Sequence, residues 1–154
     1  MPEKTTLERA RRDKRQGKAP STQAGEFVRE EMEHIRRGKH GARNPKQAIA
    51  IGLSKARRAG VKLPPPSEGK TSPEMHAKAQ RDLERGQKGT TKTSTRRSQA
   101  RRTALKREGR SAASRQALSR QARSAARARG PANRRAAARK AVRTKGQQTH
   151  RRAA

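Results

Sequence analysis

Arginine is the residue type in this chain best equipped to do chemistry, and that chemistry is the recognition of anions. Its planar guanidinium donates two parallel hydrogen bonds to a phosphate and stays charged at any ordinary pH. Between residues 91 and 154 there are 17 arginines and 4 lysines against a single acid, Glu108. The candidate phosphate contacts in this stretch are Arg96, Arg97, Arg101, Arg102, Arg107, Arg110, Arg115, Arg120, Arg123, Arg127, Arg129, Arg134, Arg135, Arg139, Lys140, Arg143, Lys145, Arg151 and Arg152. Phosphate contacts position a protein on a polynucleotide without specifying bases, so such binding is sequence-tolerant. Single-strand readers stack bases on aromatic side chains. This chain has one phenylalanine, Phe27, and no tyrosine or tryptophan. That leans the expectation toward duplex DNA over RNA, with structured RNA still open.

Other chemistries find little to work with. There is no cysteine, so thiolate ligands and thiol nucleophiles are excluded. His34, His40, His76 and His150 show no metal-ligand spacing, and surface histidines are expected, with no metal. Glu26, Glu30 and Glu31 read as helix-dipole electrostatics rather than acid–base machinery, and Glu33 lies at pairing distance from Arg37. Gly69-Lys70-Thr71 resembles the end of a phosphate-binding loop, but Pro64 occupies the required earlier glycine position. Gly38-Lys39-His40-Gly41 has the spacing of the GXXG loop of KH domains, without that fold's strands. With Lys39, Arg43 and Lys46 it forms either a secondary phosphate contact at a helix N-terminus or a plain interhelix turn. No catalytic residue, cofactor or small-molecule substrate is expected, and the chain reads as non-enzymatic.

The elements that carry these residues must form with very little core. The 154 residues carry 43 lysines and arginines against 12 acids, a net charge of +31. Leu, Ile, Val and Phe together number 13, a proportion typical of disordered chains. Nine of the sixteen large apolar residues, methionine included, fall between Ala24 and Leu63. There Ala24, Val28, Met32 and Ile35 mark a first helix, capped by Ser21 or Thr22 and ended by Gly38. Asn44, Pro45 and Gln47 open a second, with Ile49, Leu53 and Ala56 on one stripe and Gly60 as its stop. Ile51 points away from that stripe, toward a dimer partner or solvent. A short third helix follows Ser72-Pro73 with Met75, Ala79 and Leu83, ended by Gly86.

The expected fold is therefore all-α: a small two-helix hairpin with a short third helix, flanked by largely disordered or isolated-helix basic segments. Its divisions are a basic N-terminal arm (1–20), the helical hairpin (21–63), a Pro/Gly/Thr linker with a helix near 73–85 (64–95) and an Arg/Ala-rich tail (96–154). A hairpin of about 40 residues cannot bury enough to offset its ordering entropy and needs help, from self-association as a homodimer or from its ligand. In the tail, Arg120, Arg123 and Arg127 share one helical face, and Leu118, Ala122 and Ala125 share another too thin to pack.

Residues 46–60 read Lys-Gln-Ala-Ile-Ala-Ile-Gly-Leu-Ser-Lys-Ala-Arg-Arg-Ala-Gly, preceded by Phe27-Val28, Met32 and Ile35-Arg36-Arg37-Gly38-Lys39. This pattern, over Gly25 to Val61, resembles a small basic bacterial family of unknown function with a core of the type KQAIAIALSEARKAG. The resemblance implies a bacterial source and no enzyme activity, and it supplies no catalytic residues. Gly52 and Lys55 stand here in place of the alanine and glutamate of that core. The tail is similar in composition to histone H1-like bacterial proteins.

The sequence thus points to a nucleoid-associated or histone-like DNA-binding protein of the cytoplasm. RNA or ribosome association, and an adaptor gripping an acidic protein, are the alternatives. Membrane attachment is disfavoured because no bulky apolar face is available to insert. If about ten phosphates are engaged, log affinity for duplex DNA falls against log salt with a slope near −9. Fluorescence anisotropy over a salt series measures it, and a salt-insensitive complex contradicts the reading.

Overall fold

Proline and glycine set the helix boundaries. The structure, a computed structural model, describes residues 2–67, 69, 71–89 and 94–153, with side chains as far as 143. Among these residues there are seven α-helices, one 3-10 turn and no strand. They are α1 (Lys4–Arg15), α2 (Pro20–Arg36), α3 (Pro45–Arg58), α4 (Pro73–Gln87), α5 (Thr95–Lys106), the 3-10 turn Ser111–Ala113, α6 (Arg115–Ala128) and α7 (Gly130–Ala153). None of the helices is long and apolar enough to cross a membrane. The all-α class holds. The two-helix hairpin with a short third helix does not, because further helices complete the fold.

The chain divides into two units, Met1–Ala117 and Leu118–Ala154. In the first, α2 and α3 form the expected antiparallel pair. Asn44 caps α3 by accepting from the Gln47 amide at 2.9 Å, and the Gln47 side chain accepts from the Arg43 amide at 2.7 Å. Gly38 ends α2 at φ +72° and Gly60 follows α3 at φ +88°, a backbone region that glycine enters without Cβ strain. The start of α2 differs from expectation. Neither Ser21 nor Thr22 caps it; the helix begins at Pro20 after Ala19, with no side-chain cap.

Three further segments cover the hairpin. Helix α1 packs on α2 and turns Thr6, Ala10 and Asp13 inward, at spacings of four and three. Leu7 and Ala10 join Ala24, Phe27, Ala56, Val61, Leu53 and Leu63 in one cluster. The segment read as a basic arm is thus a core helix. Helix α4 packs on α3 with Ala79 and Asp82 buried. The root of the tail docks as well: Gly41 and Ala42 donate to the carbonyls of Leu105 and Gly109, at 2.8 and 3.0 Å. Ala112 and Ala113 are buried against α2 and α3. This corrects the expectation of a tail that is disordered or isolated from residue 96. Alanine makes that docking possible, since small side chains let backbone approach backbone.

Polar groups fasten α4. The Ser54 hydroxyl donates to Asp82 at 2.6 Å, and Arg58 Nε lies 3.7 Å from the same carboxylate. Buried Arg57 donates to the carbonyls of Leu63 and Pro64, both at 3.1 Å, holding the strap that leaves α3. Burial pulls the Arg57 guanidinium below its ordinary value, and Asp82 opposes that shift.

In the second unit, the described side chains of residues 118–143 are exposed or half-buried and none is buried. These helices rest on the propensities of arginine and alanine rather than on packing.

Glycine makes the closest helix contacts. A Cβ at Gly52 would lie 2.7 Å from Val28 Cα, and one at Gly86 would overlap the Arg57 carbonyl oxygen. Gly86 is therefore a contact point inside α4, not the helix stop that the sequence suggested. Gly86→Ala is expected to lose about 1–3 kcal/mol of stability through overpacking, outweighing the roughly 1 kcal/mol of helix propensity it gains. Urea unfolding measures this; a stabilised variant would mean that α4 does not sit against α3.

Candidate nucleic-acid interface

The arginines singled out in the tail are distributed over helices and turns with one shared property. Arg96, Arg97, Arg101 and Arg102 lie on α5, Arg107 and Arg110 in the connection after it, and Arg115, Arg120, Arg123 and Arg127 on α6. Arg129 precedes α7, which carries Arg134, Arg135, Arg139, Lys140 and Arg143. All of these are exposed. The side chains of Lys145, Arg151 and Arg152 lie outside those described. Among the described residues, no arginine from 96 to 143 is paired with a carboxylate. The one acid of the region, Glu108, lies 3.7 Å from Arg43 Nε. On α6 the arginine face formed by Arg120, Arg123 and Arg127 is exposed, while Leu118 and Ala125 opposite are half-buried.

Within the first unit, three arginines converge. Arg36, Arg110 and Arg115 line an open hollow of about 500 Å³ together with Ala113 and Ser114. Arg36 comes from the last turn of α2, and its Nε donates to the Ala113 carbonyl at 3.1 Å. That bond fixes the guanidinium beside the 3-10 turn. Arg110 lies across the glycine that ends α2, its Nη1 3.5 Å from where a Gly38 Cβ would stand. Arg115 opens α6, whose Ala117 amide is capped by the Ser114 hydroxyl at 3.2 Å. Three like charges around a concavity, beside the positive end of a helix dipole, favour an anion there. Arg36 was not among the residues read from the sequence. Its neighbours in this hollow are more than seventy positions away, so no local pattern marks it.

The proposed contacts in the loop fare unevenly. Lys46 is exposed at the start of α3, and Arg43 is exposed with Glu108 nearby. Lys39 instead meets the Glu3 carboxylate at 2.9 Å. The loop amides are also spent: Gly38 and Lys39 donate to Ile35 and His34, and Gly41 and Ala42 hold the root of the tail. Gly41 is closely backed by the Glu108 and Gly109 backbone. The segment is a packed interhelix turn, with the amides of Gly38, Lys39, Gly41 and Ala42 already paired within the fold.

A second grouping went unread in the sequence. Because α2 begins at Pro20, Glu30 and Glu31 fall in its third turn and not near its positive end. Both are buried. Lys55 of α3 reaches in, with Nζ 2.6 Å from Glu31 and 3.4 Å from Glu30. The Glu3 amide donates to Glu30 at 3.1 Å. His34 Nε2 lies 2.9 Å from Glu3, and His40 Nε2 lies 3.0 Å from Glu31. Hydrogen bonds from His34 and then Lys39 hold Glu3 down at about 2, so it stays ionised. The two histidines are thus not plain surface residues. The Glu33–Arg37 pair does form, at 3.5 Å.

The two arginines of the hollow that make no fold-sustaining bond offer a direct measurement. Arg110→Ala together with Arg115→Ala is expected to reduce the salt slope of duplex DNA binding by about 2. The thermal melt should stay within error of the parent. An unchanged slope would remove the hollow from the interface.

No curated protein and no solved structure matches the chain. Residues 18–67, which hold α2, α3 and the strap through Ser67, match a family of unknown function (DUF6496).

Proposed function

We propose that this protein is a non-enzymatic, sequence-tolerant nucleic-acid-binding protein that prefers duplex DNA and acts in a nucleoid-associated, histone-like manner. The observation that carries the reading is the run of exposed arginines from Arg96 to Arg143 with no carboxylate partner. An unpaired cationic surface of this density is stabilised by releasing counterions from a polyanion. None of the described side chains beyond residue 117 is buried, so little packing offsets the mutual repulsion that opposes these helices in water. Phosphates lying along the arginine faces would relieve it, coupling helix gain to binding. The folded unit contributes the hollow at Arg36, Arg110 and Arg115 as a fixed anchoring point at the root of the tail. Duplex DNA is favoured over single strands because Phe27, the one aromatic residue able to stack on bases, is 1% exposed in the core.

Charge removal at constant helix propensity tests this. Glutamine at positions 120, 123, 127, 134, 135 and 139 should reduce the salt slope on duplex DNA by about 5. Competition between duplex DNA and structured RNA at one fixed salt should favour the duplex. An unchanged slope would move the binding elsewhere, and an RNA preference would reverse the choice of polynucleotide. Partners that survive nuclease treatment of a pull-down would instead support a protein adaptor.

A further inference from the structure

We propose that Glu31, His34 and His40 form a binding site for one divalent transition-metal ion of the zinc class, whose role is structural. The three side chains offer donor atoms that all lie within 4.8 Å of one another. Glu31 and His34 stand three residues apart on α2, the Glu-x-x-His spacing that places a carboxylate and an imidazole on one helical face. His40 reaches them because the chain reverses at Gly38. Two imidazoles and one carboxylate are a donor set suited to zinc or iron(II).

The case for a cation rests on the surroundings of Glu31 and His40. The Glu31 side chain is 1% exposed, and neither of its oxygens receives an aligned hydrogen bond. His40 and Lys55 lie within ion-pair reach of it, but at angles unsuited to a hydrogen bond. His40 Nδ1 lies 3.1 Å from the Gly41 carbonyl oxygen, which can only accept. That contact places the proton on Nδ1, so in the neutral ring the Nε2 lone pair faces the Glu31 carboxylate at 3.0 Å. In the neutral ring a lone pair against a carboxylate is repulsive, and a metal ion held between the two relieves this without charging the imidazole. The separation is close to the roughly 3.3 Å between neighbouring donors of a tetrahedral site with metal–ligand bonds of about 2.0–2.1 Å.

The outer partners fit the same arrangement. Carbonyls and carboxylates behind metal-bound imidazoles fix the ring and its tautomer. Gly41 occupies that place for His40, and Glu3 lies 2.9 Å from His34 Nε2. Lys55 holds the far oxygen of Glu31 at 2.6 Å, which orients the near one toward His40. Side-chain exposures of 12% for His34 and 14% for His40 leave a path for an ion to enter. An ion here would tie the loop after α2 to the helix itself. Gly41 and Ala42 of that loop hold the carbonyls of Leu105 and Gly109, so the root of the tail would be fastened with it.

The test uses the full chain, stripped of metal by a chelator and titrated with zinc chloride by calorimetry. One zinc per chain and a melting temperature raised by several degrees are expected. Cobalt(II) in the same site should give visible ligand-field absorption. His34→Ala and His40→Ala should each weaken binding at least about tenfold, while His76→Ala should not. Absence of both zinc heat and cobalt absorption in the parent overturns the proposal, as does parental affinity in both His34→Ala and His40→Ala. If either alanine variant loses its helical circular dichroism, the cobalt spectrum of the intact chain decides. Low-coordinate bands that vanish on adding zinc support the site, and a spectrum of hexahydrated cobalt rejects it.

Discussion

Two adjacent carboxylates buried in the middle of α2 are the constraint around which the first unit is arranged. Taking Glu30 and Glu31 out of water costs far more than their few apolar neighbours can return unless positive charge and donors come with them. Two neighbouring segments supply them. Helix α3 contributes Lys55, the chain start contributes the Glu3 amide, and the loop after α2 brings His40 within 3.0 Å of Glu31. The same elements then bury Phe27 and Ile35, which flank Glu31 one turn to either side on α2. Charge compensation and apolar burial thus select the same packing, which lets a chain with only thirteen large aliphatic and phenylalanine side chains hold several helices together.

The parts of the fold legible in the sequence were those written in local signals. Asn44-Pro45 with Gln47, and the glycines at 38 and 60, set α3 and the end of α2 where the capping rules place them. What escaped were contacts made by residues that carry no hydrophobic signature. Helix α1 buries Thr6, Ala10 and Asp13, a stripe that scores as polar and therefore reads as an arm. The docking at 105–113 depends on Ala112, Ala113 and backbone carbonyls, none of which differs in type from the repetitive tail around it. Gly52 stands in place of the alanine of the resembled core, and there the Val28 backbone comes so near that a Cβ would lie 2.7 Å from Val28 Cα. Small residues are read as absence of signal in a sequence, although in a structure they permit the closest packing.

The candidate interface divides in the same way. Exposure of the tail arginines follows directly from composition, because a stretch with one acid and almost no large apolar residue has nothing to bury them with. Convergence of Arg36 with Arg110 and Arg115 does not follow, since it requires the tail root to fold back onto α2. Lys39 has a partner that no local pattern announced. Its place in a basic, glycine-flanked loop suggested phosphate, and only the return of Glu3 to that loop turns it into an internal ion pair.

Where the acids lie bears on what the arginines can do. Glu30, Glu31, Asp13 and Asp82 are buried, each with a basic partner within the first unit. Glu26 and Glu33 meet Arg9, Arg29 and Arg37 there too. Carboxylates spent in this way cannot fold over the tail and neutralise it. An exposed acid within reach of Arg120 or Arg134 would compete with phosphate at an effective concentration set by the tether, in the millimolar range for a short flexible link. Sequestering these six acids reduces that competition, and Glu8, Glu74 and Glu84 stay exposed. The internal ion pairs therefore serve two ends: they hold a small core together, and they keep these carboxylates engaged away from the described tail arginines.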